Sequence, residues 1–211
     1  MLRLALLLTA LVVLGIGWFW LPRSAHRAFE RGRYRRAATL YRLLRPARFG
    51  RNSRAAIDVS LAACALGEDR ADQALAILDR MDSERLSEAV RAAWLNNRAY
   101  ALARGGGDPR AALQSSDQAI ALRPDVAGFR HTRGVALLAV GRLDEAIREL
   151  DALWAELGGD EAPPLLEAER CYDLGMAWRA KGELDYSQDY FERARKAAPD
   201  SEWARKAAAQ L

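Results

Sequence analysis

The chain has 211 residues, 51% of them hydrophobic, and a formal net charge of +4. That is enough apolar material for a sizeable core, and no pair among Cys64, Cys171, His26 and His131 has metal-ligand spacing, so neither a metal nor a cofactor is expected. Residues 1–54 carry twelve arginines against Glu30 alone, about +11, which leaves about −7 for the remainder. Lysine is confined to Lys181, Lys196 and Lys206 while arginine and alanine abound, the bias of a GC-rich bacterial genome.

The chain opens on Leu4–Leu21 (LALLLTALVVLGIGWFWL), which is uncharged throughout. As a helix it would span about 27 Å, enough for the hydrocarbon core of a bilayer. Residues 1–22 are therefore expected to be a single transmembrane anchor, with Trp18 and Trp20 in the aromatic belt. The following WFWLPRSAH has no small-x-small cleavage site, so a retained anchor is favoured over a signal peptide. Arg23, Arg27, Arg31, Arg33, Arg35 and Arg36 come next. By the positive-inside rule they favour a cytoplasmic placement at the inner membrane, with a periplasmic one left open.

Residues 23–54 read as a basic juxtamembrane helix that doubles as a degenerate first repeat, since Ala37, Leu40, Tyr41 and Leu44 keep helical spacing. The six arginines, with Trp18 and Trp20, are expected at the membrane surface against anionic headgroups. Nucleic-acid binding by the same stretch is the second reading.

Residues 55–200 read as about four helical hairpins, clearest over Ala127–Gly158. There Phe129, Gly134, Leu137 and Leu138 mark one amphipathic helix, and Leu143, Ala146, Ile147, Leu150, Leu153 and Trp154 a second, with a turn at Gly141. Gly134 and Ala146 are expected to let the two backbones approach closely. The markers recur at steps of roughly 35 to 41 residues. Ala62, Ala99, Gly134 and Gly175 are the small residues of the first helices, and Gly32, Asp69, Gly106, Gly141 and Gly182 hold the turns. Ala37, Ala74, Ala111 or Ala112, Ala146 and Ser187 are the small residues of the second helices. Large residues follow four later at Tyr41, Leu78, Leu150 and Phe191, with Ser115 or Ser116 a poor match. Residues 201–211 read as a short capping helix with Ser201 as its N-cap. GGGD at 105–108 and GGDEAPP at 158–164 are loops; with no strand before them and no Lys-Ser/Thr after, neither is a phosphate cradle.

This marker set resembles the tetratricopeptide repeat. The resemblance implies an all-α, right-handed superhelical solenoid whose concave wall is lined by the first helix of each hairpin. Positions three residues before, one residue after and four residues after the small residue then face inward. They are Val59, Ala63 and Leu66; Asn96, Tyr100 and Ala103; His131, Val135 and Leu138; and Tyr172, Met176 and Arg179. Asn96, Tyr100, His131, Tyr172, Met176 and Arg179 offer the amide, aromatic, imidazole and thioether groups suited to an extended peptide. Arg98 and Arg133 are further candidates. Buried, unreactive thiols are expected at Cys64 and Cys171. No nucleophile is paired with a base by a recognisable motif, so an enzyme and a small-molecule substrate are not expected. The resulting expectation is a membrane-anchored scaffold that binds a partner protein or peptide segment for assembly of a membrane or envelope complex.

Overall fold

The computed structural model describes Gly15, residues 19–156 and residues 162–211. Eleven helices run in order through the described residues: α1 (Leu21–Glu30), α2 (Tyr34–Leu44), α3 (Arg51–Leu66), α4 (Ala71–Leu78), α5 (Glu88–Arg104), α6 (Pro109–Leu122), α7 (Ala127–Ala139), α8 (Leu143–Glu156), α9 (Pro164–Ala180), α10 (Leu184–Ala197) and α11 (Glu202–Ala208). The chain divides into two compact units, one up to Val90 and one from Arg91. Each is an all-helical set of tetratricopeptide-like hairpins.

Four of the five hairpins turn in one way. After α7, the N–H of Gly141 donates to Leu138 O (3.0 Å) and that of Arg142 to Leu137 O (2.9 Å). This is the paired bonding of a Schellman cap, which satisfies the last carbonyls of the helix and needs a left-handed residue between them. The same pair of bonds occurs around Gly32, Asp69 and Gly182. All five turn residues expected from the sequence have positive φ, from 59° at Asp69 to 84° at Gly182. Asp69 is the one side chain among them, and a short polar residue is the kind that tolerates this region. Helix starts are also legible. Asp108 accepts from Arg110 N (2.9 Å) ahead of Pro109, and Ser201 Oγ accepts from Ala204 N (3.1 Å).

Within each hairpin a small residue receives a large one. A Cβ on Gly134 would come within 2.7 Å of Leu150 Cδ2, and one on Gly175 within 2.6 Å of the Phe191 ring. The large Leu150 thus packs against Gly134. The bare Cα makes room for a branched side chain that a Cβ would displace. Ser187, 2% exposed, donates its hydroxyl to Gly175 O (2.9 Å), so this hairpin is also pinned by a side chain. Ala112 rather than Ala111 is the buried small residue of α6.

In the N-terminal unit, α1 and α2 form a hairpin packed on α3 through Ala28, Ala37, Ala38 and Cys64. Its first helix is α1. Tyr34 meets Phe29 edge-on at 5.3 Å and fills the space beside Gly67. In the C-terminal unit the hairpins α5–α6, α7–α8 and α9–α10 build successive cores around Leu95 and Phe129, then Leu150 and Leu174, then Phe191 and Ala207. Among the described residues no helix is long and apolar enough to cross a membrane. The expected anchor over residues 1–22, Trp18 included, lies almost wholly outside the described residues.

Replacing Gly141 by Ala forces a Cβ into the left-handed region with no packing gain, because open space surrounds it. The expected loss is about 1–2 kcal/mol in urea unfolding; an unchanged midpoint would mean the turn does not need that conformation. Phe191→Ala removes a ring that is 1% exposed. It should cost about 3–5 kcal/mol in the same experiment.

Candidate functional site

One group of ionisable side chains in the C-terminal unit meets across the first helices α5, α7 and α9. The Tyr100 hydroxyl on α5 donates to the Glu169 carboxylate on α9. Arg104, one turn along, reaches Asp173 at 2.8 Å and Glu169 at 3.3 Å. Its guanidinium also lies 5.2 Å from the Tyr100 ring centre and 4.8 Å from that of Trp203 on α11. From α7, His131 Nε2 stands 3.3 Å from Asp173 Oδ2. The Asp173 side chain is 1% exposed and His131 4%. The bonds from α5 to α9 span a whole hairpin, a reach not expected where repeats touch only their neighbours.

The charges explain one another. Burial opposes a charged imidazole at His131, but the Glu169 and Asp173 carboxylates outweigh it, and its pKa is raised. Burial likewise opposes the Asp173 carboxylate, but Arg104 and then His131 outweigh it, and its pKa is lowered. Burial pushes the Tyr100 hydroxyl well above its ordinary value, Glu169 and Asp173 adding to the shift against the pull of Arg104, so it acts as a proton donor. Ligand atoms of His131, Glu169 and Asp173 lie within 4.8 Å of one another, a set that could ligate a cation. Arg104 already places a positive charge against both carboxylates. The cluster is therefore balanced by the chain itself.

The six expected wall residues fare differently. Tyr100 and His131 join the cluster, although His131 is sealed beneath the carboxylates rather than offered to a ligand. Asn96 donates to Asn97 Oδ1 (3.4 Å), and its own Oδ1 is buried with no hydrogen-bond partner among the described residues. Tyr172 stacks obliquely on Trp203 (5.5 Å) and Phe191 (5.8 Å). Arg179 is exposed, bonds Gln210 and touches Met176 Sδ (3.3 Å). The C-terminal helix thus partners the wall at the last hairpin. Val59 and Val135 are core residues, 6% and 3% exposed. Arg98 bonds Ser115 (3.3 Å), and Arg133 bonds Asp117 (2.7 Å) and Glu149 (3.2 Å), so both tie helices of the stack together.

Sequence reasoning missed Arg104, Glu169 and Asp173. Their signal was present: Arg104 lies four residues after Tyr100, and the two acids flank Tyr172 on a helix otherwise rich in apolar residues. Both cysteines are free and buried. Burial first, with Glu68 adding at Cys64 and Glu167 at Cys171, pushes each thiol up to about 12.

Of the six basic membrane-surface candidates, Arg27, Arg31, Arg33 and Arg36 line one cleft between α1 and α2. Arg23 instead donates to Phe19 O (3.0 Å), and Arg35 stands 3.7 Å from Glu68. Trp20 is 66% exposed. Trp18 lies outside the described residues.

Residues 103–166 match the tetratricopeptide repeat family. No curated protein matches the chain. Among solved structures, the fold resembles TTC0263, a tetratricopeptide-repeat protein of Thermus thermophilus, at 20% identity over 89% of this chain and 95% of that one, with a TM-score of 0.62. It also resembles Bacillus thuringiensis PlcR, solved with the peptide PapR7 and DNA, at 12% identity over 91% and 73%, TM-score 0.69. YrrB, a tetratricopeptide-repeat protein described as having an unusual peptide-binding site, matches at 18% identity over 89% of each chain, TM-score 0.50. The fold class is that of the tetratricopeptide repeat.

A raised folded-state pKa means that His131 contributes stability in full below the ordinary imidazole value of about 6.5, and that this is lost as pH rises through the folded value. Thermal unfolding followed by tryptophan fluorescence should therefore show a midpoint that falls as pH rises above about 6.5. His131→Gln should flatten that slope. A slope unchanged in the variant would place its origin elsewhere.

Proposed function

We propose that the protein is a non-enzymatic scaffold that binds a partner polypeptide along the first-helix wall of its C-terminal unit. The observation that carries this reading is the position of the ionic cluster. Arg104, Glu169 and Tyr100 gather on the wall, with the Arg104 and Glu169 side chains still 19% and 15% exposed. Buried charge is expensive and adds little to stability compared with apolar packing. It does hold a wall rigid and present charge in a fixed geometry, which lowers the ordering cost when a peptide binds. Asn96, Tyr100 and Arg104 supply an amide, an aromatic face and a charge along one helix, the mix that reads an extended segment. The likeness in fold to PlcR, solved with a peptide, and to YrrB, described as peptide-binding, supports the same reading.

Residues 1–22 are read as a tether to the inner membrane, with the repeats on the cytoplasmic side. The apolar run Leu4–Leu21 and the arginines after it support this. A tether raises the effective concentration of the wall for partners in the same membrane, which suits assembly of a membrane or envelope complex.

A photo-crosslinking residue placed at Asn96 or Met176 in the full chain, in cells, tests the wall. One discrete polypeptide adduct is expected at these positions, and none when the same residue replaces the exposed Gln188 on α10. Equal adducts at both surfaces, or none on the wall, would overturn the reading.

A further inference from the structure

The cleft between α1 and α2 is lined mainly by arginine. Ser24, Arg27, Ala28 and Arg31 fall on one stripe of α1, and Arg33 and Arg36 close it from the turn and the first turn of α2. Its volume is about 180 Å³, with the buried Ala28 among its walls. That is below the roughly 300–1,000 Å³ of a small-molecule pocket. It suits a single tetrahedral anion.

Four guanidiniums line the cleft and no carboxylate does. The side chains of Arg31, Arg33 and Arg36 make no hydrogen bond or ion pair among the described residues, and Arg27 bonds only the carbonyl of Arg23 (3.4 Å). Nearby acids are committed elsewhere: Glu30 to His26 (3.2 Å), Glu68 to Arg70 and Arg35, and Asp58 to Arg45 (2.6 Å). Arg33 is also the N-cap position of α2 and provides no side-chain acceptor, so the positive end of that helix adds to the field. Such a concentration of like charge on one short hairpin costs self-repulsion, and a bound anion relieves it. Guanidiniums in this arrangement recognise phosphate through paired N–H donors.

The same stripe says where the phosphate comes from. Trp20 lies four residues before Ser24 and seven before Arg27, which continues the cleft's stripe toward the chain's apolar end by about 10 Å. It is 66% exposed, and Phe19 beside it 56%. Exposed aromatics one or two turns from an arginine cleft match the layering of a membrane surface, with rings at the acyl boundary and arginines at the headgroups.

We propose that the α1–α2 cleft is a binding site for a phosphate group, that of an anionic membrane lipid, held by Arg27, Arg31, Arg33 and Arg36. The proposal deepens the membrane-side reading of the N-terminal residues and is independent of peptide binding by the C-terminal unit. It also divides the basic stretch: the cleft arginines are ligands, whereas Arg23 and Arg35 are not.

The test uses the full chain in a neutral detergent, so that whether residues 1–22 span a bilayer does not enter. Calorimetric titration with dihexanoyl phosphatidic acid, inorganic phosphate and dihexanoyl phosphatidylcholine compares two variants of equal charge. Arg31→Gln with Arg36→Gln should weaken phosphatidic acid binding about tenfold or more, since it removes two charge-assisted donors. Arg23→Gln with Arg35→Gln should change it less than about threefold. Tighter binding of phosphatidic acid than of inorganic phosphate assigns the source to lipid. Equal binding of the two, with the same dependence on the cleft, keeps the phosphate site and assigns it to the free anion. Equal losses in the two variants would overturn the proposal in favour of a diffuse field. So would the absence of saturable phosphate binding, or a cleft-dependent preference for a single-stranded oligonucleotide over both phosphate probes.

Discussion

A carboxylate with as little exposure as Asp173 has to be paired, and that requirement organises the C-terminal unit. Its partners come from two other hairpins: Arg104 from α5 and His131 from α7. Once Arg104 is committed to Asp173, its guanidinium also lies against the Tyr100 and Trp203 rings. The aromatic stack of Trp203 on Tyr172 then seats the C-terminal helix. One buried negative charge thereby couples three first helices and the cap. Together with Glu169, the same charge raises the proton affinity of His131 against the cost of its burial.

That arrangement is tolerated because the hairpins are held by simpler means. Residues without a side chain, Gly134 and Gly175, admit Leu150 and Phe191, and left-handed turn residues satisfy the helix ends. These devices occupy the sides of the first helices that face their second helices. The remaining side of α5, α7 and α9 is free to carry polar chemistry. Glu167 and Arg170 show the limit of that freedom: their paired bonds at 2.7 and 2.8 Å are turned inward, where Arg170 also donates to Leu150 O and lies over Trp154, so they join α9 to α8.

The two units differ in how they handle charge. In the C-terminal unit opposite charges are interleaved and neutralise one another on the wall. In the N-terminal unit four arginines of the first hairpin share a cleft with no acid. A surface balanced from within is suited to selective contact with a polypeptide. A cleft left unbalanced is suited to an anion.

Much of this architecture was legible in the sequence. Helical periodicity, the recurrence of small residues and the placing of Gly32, Asp69, Gly106, Gly141 and Gly182 at turns are local properties, set by backbone sterics and by the need to bury one face of each helix. They determined hairpins, turns and repeat phase. The sequence could not show which large side chain would fill the space at Gly134, because that depends on how far one helix slides along the other. Nor could it show that Arg104, Glu169, Asp173 and His131 would meet, since up to 69 residues separate them and no local pattern encodes the pairing. The basic stretch was evident as composition, but its division was not: the 3.6-residue period and the Gly32 turn bring Arg27, Arg31, Arg33 and Arg36 to one cleft and turn Arg23 and Arg35 to other partners. Local order follows from the order of residues along the chain. Which charges face each other was decided only when the helices packed, because electrostatic pairing acts across space and a sequence records only neighbours in line.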